Sequence, residues 1–290
     1  MQSESTIRIP TAKKHARPLV IAARHLALLA LAATFVVPLY WMVTTSLRAV
    51  GMPPPLHLEW LPEPVVWGNY RRVFELVDFW RYALNSTFVV VNAVPITVIV
   101  ASWAGFAMAQ LPQQWRLRLT AISFIALMTP LTAVWLTRFL MFKEVGLIDS
   151  RWALVVPAFM GTSPFYVLLF LWTFLRIPSE IYDAARLDGA GALRIWGQIA
   201  MPLAIPTITA VGVLSFAYHW SAFIEPLLYI QSAEKLTLPT GLQALAQLDR
   251  TNWPVLMAGA VMVTAPVVAV FLLVQRAFLQ DLRGSGWLGR

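Results

Sequence analysis

Six long apolar stretches alternate with short polar segments along the 290 residues of this chain. Each stretch has about twenty residues or more, the number that an α-helix needs to cross the roughly 30 Å hydrocarbon layer of a bilayer. The pattern therefore predicts an all-α polytopic membrane protein with a six-span domain, residues 25–274, between an N-terminal segment, 1–24, and a C-terminal tail, 275–290. The six predicted transmembrane helices cover residues 25–46, 85–110, 119–141, 153–175, 203–223 and 255–274.

The first stretch has an alternative interpretation as a cleavable signal peptide. The apolar core of a signal peptide has about 7–15 residues and ends in small residues. Here the apolar run continues past Ala32 and Ala33 through the sequence FVVPLYWMV. We therefore expect a first span that is retained in the mature protein.

Four of the stretches contain a proline near the middle: Pro95, Pro130, Pro164 and Pro266. Prolines are tolerated in membrane helices where neighbouring groups satisfy the carbonyl that the proline leaves free. The pattern indicates packed, kinked helices around a pathway rather than single anchors.

Hydrophobic positions three and four residues apart mark a further helix between the first two spans. This spacing is typical of an amphipathic helix, and charged residues occupy the opposite side. We expect the helix to lie flat on the membrane surface before the second span. Its apolar positions are Tyr70, Val73, Phe74, Val77, Trp80 and Leu84, and its charged positions are Arg71, Arg72, Glu75 and Asp78.

Composition and charge agree with a membrane protein. Only 12% of the residues are charged, about half the proportion in soluble domains. Thirteen basic and five acidic residues lie in segments 1–24, 111–118, 176–202 and 275–290, which accounts for the net charge of +8. Basic residues flank spans on the cytoplasmic side, so both termini are predicted to be cytoplasmic. Basic residues scattered over short segments argue against a nucleic-acid partner, and the lack of cysteine excludes disulfides and thiolate metal sites.

The polar segment 176–202 is predicted to form two short helices on the cytoplasmic side, between spans 4 and 5. Ser179 can cap the first helix, and Gly189 can end it in a left-handed conformation. The first helix offers small residues, Ala184 and Ala185, for close approach of another surface, and the second offers exposed anchors. Those anchors are Leu193, Trp196 and Ile199. From these residues alone, partner docking and packing against the protein's own spans remain equally open.

The same segment resembles the EAA signature of binding-protein-dependent ABC importer permeases, E-A-A-x-x-D-G-A followed by I-x-L-P. The sequence here departs from the signature at Asp183, Trp196 and Met201. Further stretches, such as 38–48, 69–75 and 216–229, resemble the second-permease kind of the maltose-type carbohydrate-uptake family. The resemblance implies a coupling helix seated in a cleft of a cytoplasmic ATPase. The residues it assigns to coupling are Asp183, Ala184, Ala185, Asp188, Gly189, Ala190, Trp196 and Pro202.

The resemblance also implies the rest of the assembly. A second permease subunit, a dimer of ATP-binding-cassette ATPases and an extracytoplasmic solute-binding protein would work with this chain in a bacterial or archaeal plasma membrane. The chain has no G-x-x-x-x-G-K-[ST] phosphate loop. We therefore expect a non-catalytic transport subunit without a cofactor or metal of its own, with ATP and Mg²⁺ on the partner ATPase.

Four residues near the end of the fifth span are candidates for the substrate pathway: His219, Trp220, Phe223 and Glu225. The two aromatic residues can stack on a sugar ring, but aromatic residues are also common at membrane interfaces. Glu225 can contact a substrate or a proton. We favour the other interpretation, an interfacial acid beside Pro226.

Two other classes of function compete with the importer. A self-sufficient secondary transporter or channel predicts intramembrane charges along a pathway and often an inverted repeat, and neither is evident. An intramembrane enzyme requires a nucleophile with a base at membrane depth, and His219 has no obvious serine or aspartate partner in the sequence. Co-purification of an ATPase separates the importer from both.

Overall fold

Helices form all the regular structure in the part of the chain that the computed structural model describes, residues 18–51, 60–248 and 252–284. The all-α prediction is confirmed for these residues. Pro53, Pro54 and Pro55, most of the N-terminal segment and residues 285–290 lie outside them. The helices are α1 (Pro18–Ser46), α2 (Gly68–Leu76), α3 (Phe79–Ala109), α4 (Gln113–Met128), α5 (Leu131–Glu144), α6 (Trp152–Val155), α7 (Pro164–Phe174), α8 (Ser179–Leu187), α9 (Ala192–Ile195), α10 (Met201–Leu203), α11 (Ile205–Trp220), α12 (Ile224–Tyr229), α13 (Leu238–Leu248) and α14 (Trp253–Gly284).

Four helical segments in the described ranges are long and apolar enough to cross a membrane. Two further pairs of helices meet the same criterion only when both members are taken together, and they are bent by 92° and 83°. The described residues thus hold four candidate spans, or six if each bent pair is one span. The four are Val20–Ser46, Phe79–Ala109, Trp152–Phe174 and Trp253–Gln275; the pairs are Gln113–Met128 with Leu131–Glu144, and Ala192–Leu203 with Ile205–Trp220.

The predicted third span, 119–141, is not one straight helix. Thr129 has an extended backbone, with φ −74° and ψ 122°, as is common before a proline. Pro130 has no N–H to continue the helical hydrogen bonds. For these reasons α4 ends before this pair of residues and α5 begins after it at a steep angle.

The predicted fourth span, 153–175, is built from α6, a 3₁₀ segment at Val156–Met160 and α7. Gly161 and Thr162 have left-handed backbones, with φ of 74° and 59°. The Ser163 hydroxyl then accepts a hydrogen bond from the N–H of Phe165 at 3.3 Å and caps α7. Pro164 occupies the first turn of that helix, where proline is favourable, so it starts a helix instead of kinking one.

The predicted amphipathic helix is also interrupted. Val77 is extended, and the carboxylate of Asp78 accepts a hydrogen bond from the N–H of Arg81 at 3.3 Å, which starts α3. Val73 is buried against α14, and the Asn69 amide donates to the carbonyl of Ser46 at 2.8 Å, at the end of α1. Thus α2 is packed into the fold, and the prediction of one continuous helix through Leu84 is wrong.

Helix α3 lies at the centre of the molecule and packs against α7 and α11. A Cβ atom added to Gly105 would lie 2.7 Å from the Cβ of Phe170 and 2.8 Å from the N of Leu171. The backbones of α3 and α7 therefore approach as closely as small residues permit in membrane helices. Asn85 near the start of α3 and Gln110 just after its end are about 38 Å apart along the helix axis. We name the two ends of the molecule the Asn85 end and the Gln110 end.

Candidate functional site

The segment after α7 forms a helical hairpin at the Gln110 end. Helix α8 is followed by Gly189 with φ 77°, and the N–H of Ala190 donates to the carbonyl of Ala185 at 2.9 Å. A helix end at this glycine is what the sequence predicts. The predicted cap is wrong: Pro178 holds the capping position, and the Ser179 side chain makes no capping hydrogen bond.

One face of α8 is fixed to the body of the protein. Tyr182 and Ala185 are buried. The Tyr182 hydroxyl donates to the carbonyl of Phe174 at 3.3 Å, and its ring contacts Phe106 edge to face at 6.1 Å. Burial raises the pKa of Tyr182 to about 12, so the hydroxyl remains a donor at neutral pH. Ala185, predicted to face another surface, instead packs inside the chain because it lies one turn from Tyr182.

The second part of the hairpin continues into the membrane segment. α9, a π turn at Trp196–Ala200 and α10 follow one another without a loop. Trp196 contacts Trp103 edge to face at 5.1 Å. Both Trp196 and Ile199 pack against a buried apolar cluster that includes residues of α3 and α7. The prediction that these two residues are exposed anchors is wrong, because this stretch runs along α3 and α7 instead of standing free.

The opposite face of the hairpin is open and partly apolar. Leu187 is 89% exposed and Leu193 is 69% exposed, on the two sides of the glycine turn. Strongly exposed leucines on both sides of a turn in a polar segment suit a surface that binds a partner. Leu193 is thus exposed as predicted, whereas Leu187 was not predicted as a contact. The predicted coupling residues that are exposed are Asp183, Ala184, Asp188, Gly189 and Pro202, whereas Ala190 is half-buried.

Two residues that the sequence interpretation missed connect α8 to α3. Arg186 donates to the carboxylate of Asp183 at 2.7 Å and to the amide oxygen of Gln110. Gln110 is 76 residues from its partner in the sequence. No local pattern could have identified this contact. The inward position of Tyr182, in contrast, could have been found from its three-residue spacing to Ala185.

A small cleft lies between α3, α6, α11 and α12. His219 and Glu225 line it, together with Tyr218, whose hydroxyl donates to the Glu225 carboxylate at 2.9 Å. The favoured interpretation describes Glu225 only as an interfacial acid, whereas the structure shows that it also lines this cleft. Within the described residues, no group of His, Asp or Glu could hold a metal ion.

The other two pathway candidates do not line this cleft. Trp220 is buried, stacks on Phe216 at 5.5 Å and donates from Nε1 to the carbonyl of Val263 at 2.9 Å. Its ring thus packs α11 against α14 and has no face free for a sugar in this conformation. Phe223 lies between α11 and α12, beyond the end of the helix.

A short chain of polar contacts connects the cleft to the break in the fourth predicted span. The His219 Nε2 lies 3.4 Å from the Thr162 hydroxyl, which lies 2.5 Å from the hydroxyl of Thr97. Irregular backbone at membrane depth is tolerated where it is buried in protein or lines a cavity. The left-handed Thr162 is half-buried and contacts His219, which lines the cleft.

Polar side chains join separate loops at the Asn85 end. The Asn85 amide donates to the carbonyls of Glu234 and Leu236, each at 2.9 Å, and its oxygen accepts from Arg151 at 3.1 Å. Asp149 accepts from Lys235 at 2.8 Å. It also accepts from the N–H and hydroxyl of Ser232 at 2.8 and 2.5 Å. Lys235 and Ser232 hold the pKa of Asp149 well below its usual range. Sequence analysis found none of these residues.

Residues 74–284 match the family described as the binding-protein-dependent transport system inner membrane component. The match covers more than half of the chain, and the chain belongs to this family. The arabinooligosaccharides transport system permease protein AraQ of Halalkalibacterium halodurans is 30% identical over 229 residues, 79% of this chain and 81% of that protein. The lactose transport system permease protein LacG of Rhizobium radiobacter is 27% identical, over 76% of this chain and 80% of that protein.

The fold is also similar to solved structures. One is the crystal structure of a bacterial ABC transporter involved in the import of the acidic polysaccharide alginate, with a TM-score of 0.74 and 23% identity over 93% of this chain and 100% of that chain. A second, of a bacterial alginate ABC transporter in complex with an alginate pentasaccharide-bound periplasmic protein, has a TM-score of 0.64 and 14% identity. The chain is thus a membrane component of a transport system, and the alternative of a self-sufficient transporter or channel is not favoured.

Proposed function

We propose that this chain is one of two permease subunits of an ABC importer, and that the pair forms the pathway for a carbohydrate delivered by an extracytoplasmic binding protein. The names of its relatives, which are permease proteins for arabinooligosaccharides and lactose, support the substrate class. In this proposal the bent pair of α4 and α5 counts as one span and α11 as another, which makes six with the four long spans. The distribution of basic residues supports a cytoplasmic position for both termini and for the α8 hairpin.

The observation that carries the coupling role is the exposed apolar rim of the hairpin. Leu187 and Leu193 stand out on either side of the turn at Gly189, and the small, exposed Ala184 on α8 leaves room for another surface. An ATP-binding-cassette ATPase that holds ATP and Mg²⁺ would cover this rim, with Asp183 and Asp188 at its polar edge. Tyr182 and Ala185 fix the other face of α8 to the spans. Closure of the ATPase dimer would move the hairpin and the spans together as a rigid body.

The cleft beside α11 is the proposed substrate pathway on this chain. A carboxylate, a tyrosine hydroxyl, a threonine and an imidazole among apolar wall residues suit the hydroxyl groups of a sugar. In this proposal His219 and Glu225 contact the substrate directly. Trp220 and Phe223 support the end of α11 from outside the cleft.

Replacement of Gly189 by valine tests the coupling role. No atom lies within 4 Å of an added Cβ, so the substitution acts through the left-handed backbone and the docked partner. We expect the importer to assemble and hydrolyse ATP while uptake falls at least about tenfold. Gly146→Val is the matched control, because this glycine has φ 70° and equally open surroundings but lies outside the hairpin. Normal uptake with Gly189→Val would contradict the assignment.

The substrate class needs a separate measurement on the cognate binding protein. A thermal-shift screen with neutral sugars, uronates, amino acids and divalent metals should give its largest shift with a sugar. An amino acid or a metal as the best ligand would overturn the carbohydrate proposal and leave the permease role unaffected.

A further inference from the structure

We propose that Arg186 is a positioning residue that makes α8 and α3 move as one body during transport. The inference rests on the proposed coupling role of α8. It adds a named connection inside this chain, from the hairpin to the central helix of the fold.

The guanidinium group of Arg186 connects a side chain of α8 to a side chain at the end of α3, and we call this connection the Arg186 bridge. One guanidinium nitrogen of Arg186, Nη1, donates to the Asp183 carboxylate at 2.7 Å, and the other, Nη2, donates to the amide oxygen of Gln110. Gln110 belongs to the end of α3, because its N–H donates to the carbonyls of Phe106 and Ala107, each at 3.2 Å. Movement of α8 along this bond direction therefore pulls on the last turn of α3.

The hydroxyl of Tyr182 bonds to the end of α7, so its contact with α3 is through the ring alone. Tyr182 meets Phe106 through ring edges, and such apolar contacts have little directional preference compared with a hydrogen bond. The Arg186 bridge has a defined direction because the guanidinium is planar and its donors form a rigid fork. Lysine carries the same charge without this planar fork and cannot reproduce the geometry.

Stability is not the main contribution of this bridge. The side chains of Arg186 and Asp183 are 50% and 62% exposed, and exposed ion pairs contribute little to stability. The bridge instead determines the position of Asp183, the acid of the predicted coupling motif. This carboxylate is already paired within its own chain, so coupling does not require a new ion pair from Asp183 to the ATPase.

The same hairpin contains a matched control. Arg194 donates from Nε to the amide oxygen of Gln198 at 3.0 Å. This pair has the same residue types and is also exposed, but its members are four residues apart and join no separate helices. Arg194→Lys and Gln198→Leu make the same side-chain changes in the hairpin without affecting the connection to α3.

The test measures the distance between α8 and α3 in the complete importer. The chain has no cysteine, so nitroxide labels can be attached at Ser179→Cys on α8 and at Val91→Cys, an exposed position on α3. Electron–electron double resonance compares the nucleotide-free and vanadate-trapped states. We expect the distance to be the same in both states with the unsubstituted bridge. With Arg186→Lys or Gln110→Leu we expect it to change by about 2 Å or more, the scale of helix shifts in switching proteins.

Further measurements separate positioning from other roles. Arg194→Lys and Gln198→Leu should behave like the unsubstituted chain, and the amount of co-purified ATPase and the melting temperature should be the same in all variants. Adding Gln110→Glu to Arg186→Lys supplies an ion pair and should restore the constant distance.

Three outcomes overturn the inference. If Arg186→Lys loses the ATPase while Gln110→Leu retains it, Arg186 contacts the ATPase directly. If the distance stays constant in every variant, the bridge does not transmit movement, and the proposed function stands. If no ATPase co-purifies with the unsubstituted chain, the proposed function fails and the inference fails with it.

Discussion

The two ends of the molecule are held together by different interactions. At the Gln110 end, complete helices meet through apolar contacts, with Gly105 against Phe170 and Phe106 against Phe174 and Tyr182. At the Asn85 end, loops and short helical turns are joined by hydrogen bonds between side chains and main-chain groups. Sequence separations there reach 149 and 151 residues for the bonds of Asn85.

The difference follows from what each end must satisfy. A complete helix bonds its own N–H and C=O groups, so its neighbours need only fit its shape. The loops at the Asn85 end have carbonyls that no helix of their own satisfies, and a buried carbonyl without a donor is costly. Side chains from other segments therefore supply the donors. Close apolar packing therefore stabilises the Gln110 end, which carries the proposed coupling hairpin. Hydrogen bonds stabilise the Asn85 end, which lies beside the cleft.

The largest expected effect tests the close packing of α3 against α7 at the Gln110 end. Gly105→Ala should destabilise the importer by about 3 kcal/mol, because the added Cβ would lie under 3 Å from the backbone of α7. The melting temperature of the purified importer is the measurement. Gly212→Ala in α11 is the control, since nothing lies within 4 Å of its Cβ, and it should be neutral or slightly stabilising. Equal melting temperatures for the two variants would show that α3 and α7 do not need this close approach.

The next effect tests the hydrogen-bonded end. Asn85→Leu should cost about 2 kcal/mol in unfolding free energy, because two carbonyls lose their donor and Arg151 loses an acceptor. Asn92→Leu on the same helix is the control, since its amide donates within α3 to the carbonyl of Phe88. Denaturant or thermal unfolding of the two variants should differ clearly. A loss with Asn92→Leu as large as with Asn85→Leu would argue against the joining role.

A smaller and pH-dependent effect is expected for Asp149→Asn. Asparagine tolerates the left-handed backbone at this position, but it has no charge to pair with Lys235 and only one acceptor oxygen in place of two. It therefore loses the bonds of either Oδ1, to the N–H groups of Gln231 and Ser232, or Oδ2, to Lys235 and the Ser232 hydroxyl. Because the folded-state pKa of Asp149 is lowered, the stabilisation is complete above the unfolded value of about 3.9 and is lost as the pH falls below it.

We expect a cost of about 1 kcal/mol at neutral pH for this variant. Its difference in melting temperature from the unsubstituted protein should shrink as the pH falls from about 4 towards the lowered folded-state pKa. Glu75→Gln, which removes the exposed pair of Glu75 with Arg71, is the control and should have no measurable effect. A difference that grows in acid would refute the sign of the pKa shift.

The smallest effect is expected where the two ends meet. Thr97→Val removes the hydroxyl that contacts Thr162, and a hydrogen bond between membrane helices contributes about 0.6 kcal/mol. Thr173→Val removes a similar contact with Thr207, at 2.7 Å. Similar stability losses are expected, but only Thr97→Val should alter ATP hydrolysis stimulated by the binding protein, because its contact leads through Thr162 to His219. An identical response of the two variants would show that the contact of Thr97 with Thr162 does not influence the cleft.

The two ends also differ in how far the sequence predicted them. The helix stop at Gly189 could be predicted because the residues concerned are neighbours in the chain. The inward side of Tyr182 was available from helical spacing, although our interpretation assigned Ala185 to the wrong face. The contact of Arg186 with Gln110, and those of Asn85 and Asp149, could not be predicted, because nothing in either local sequence indicates the partner.

The sequence by itself determined the class of protein. Long apolar stretches, the distribution of basic residues and a contiguous motif depend on the order of residues along the chain, and they predicted an all-helical membrane component with a polar hairpin. Tertiary structure alone decided which faces are buried: Trp196 turns inward, Trp220 packs between helices, and Glu225 lines a cleft. The physical reason is that hydrophobic periodicity acts over one or two helical turns. A buried donor or ring takes the partner that folding brings near, whatever its distance along the chain.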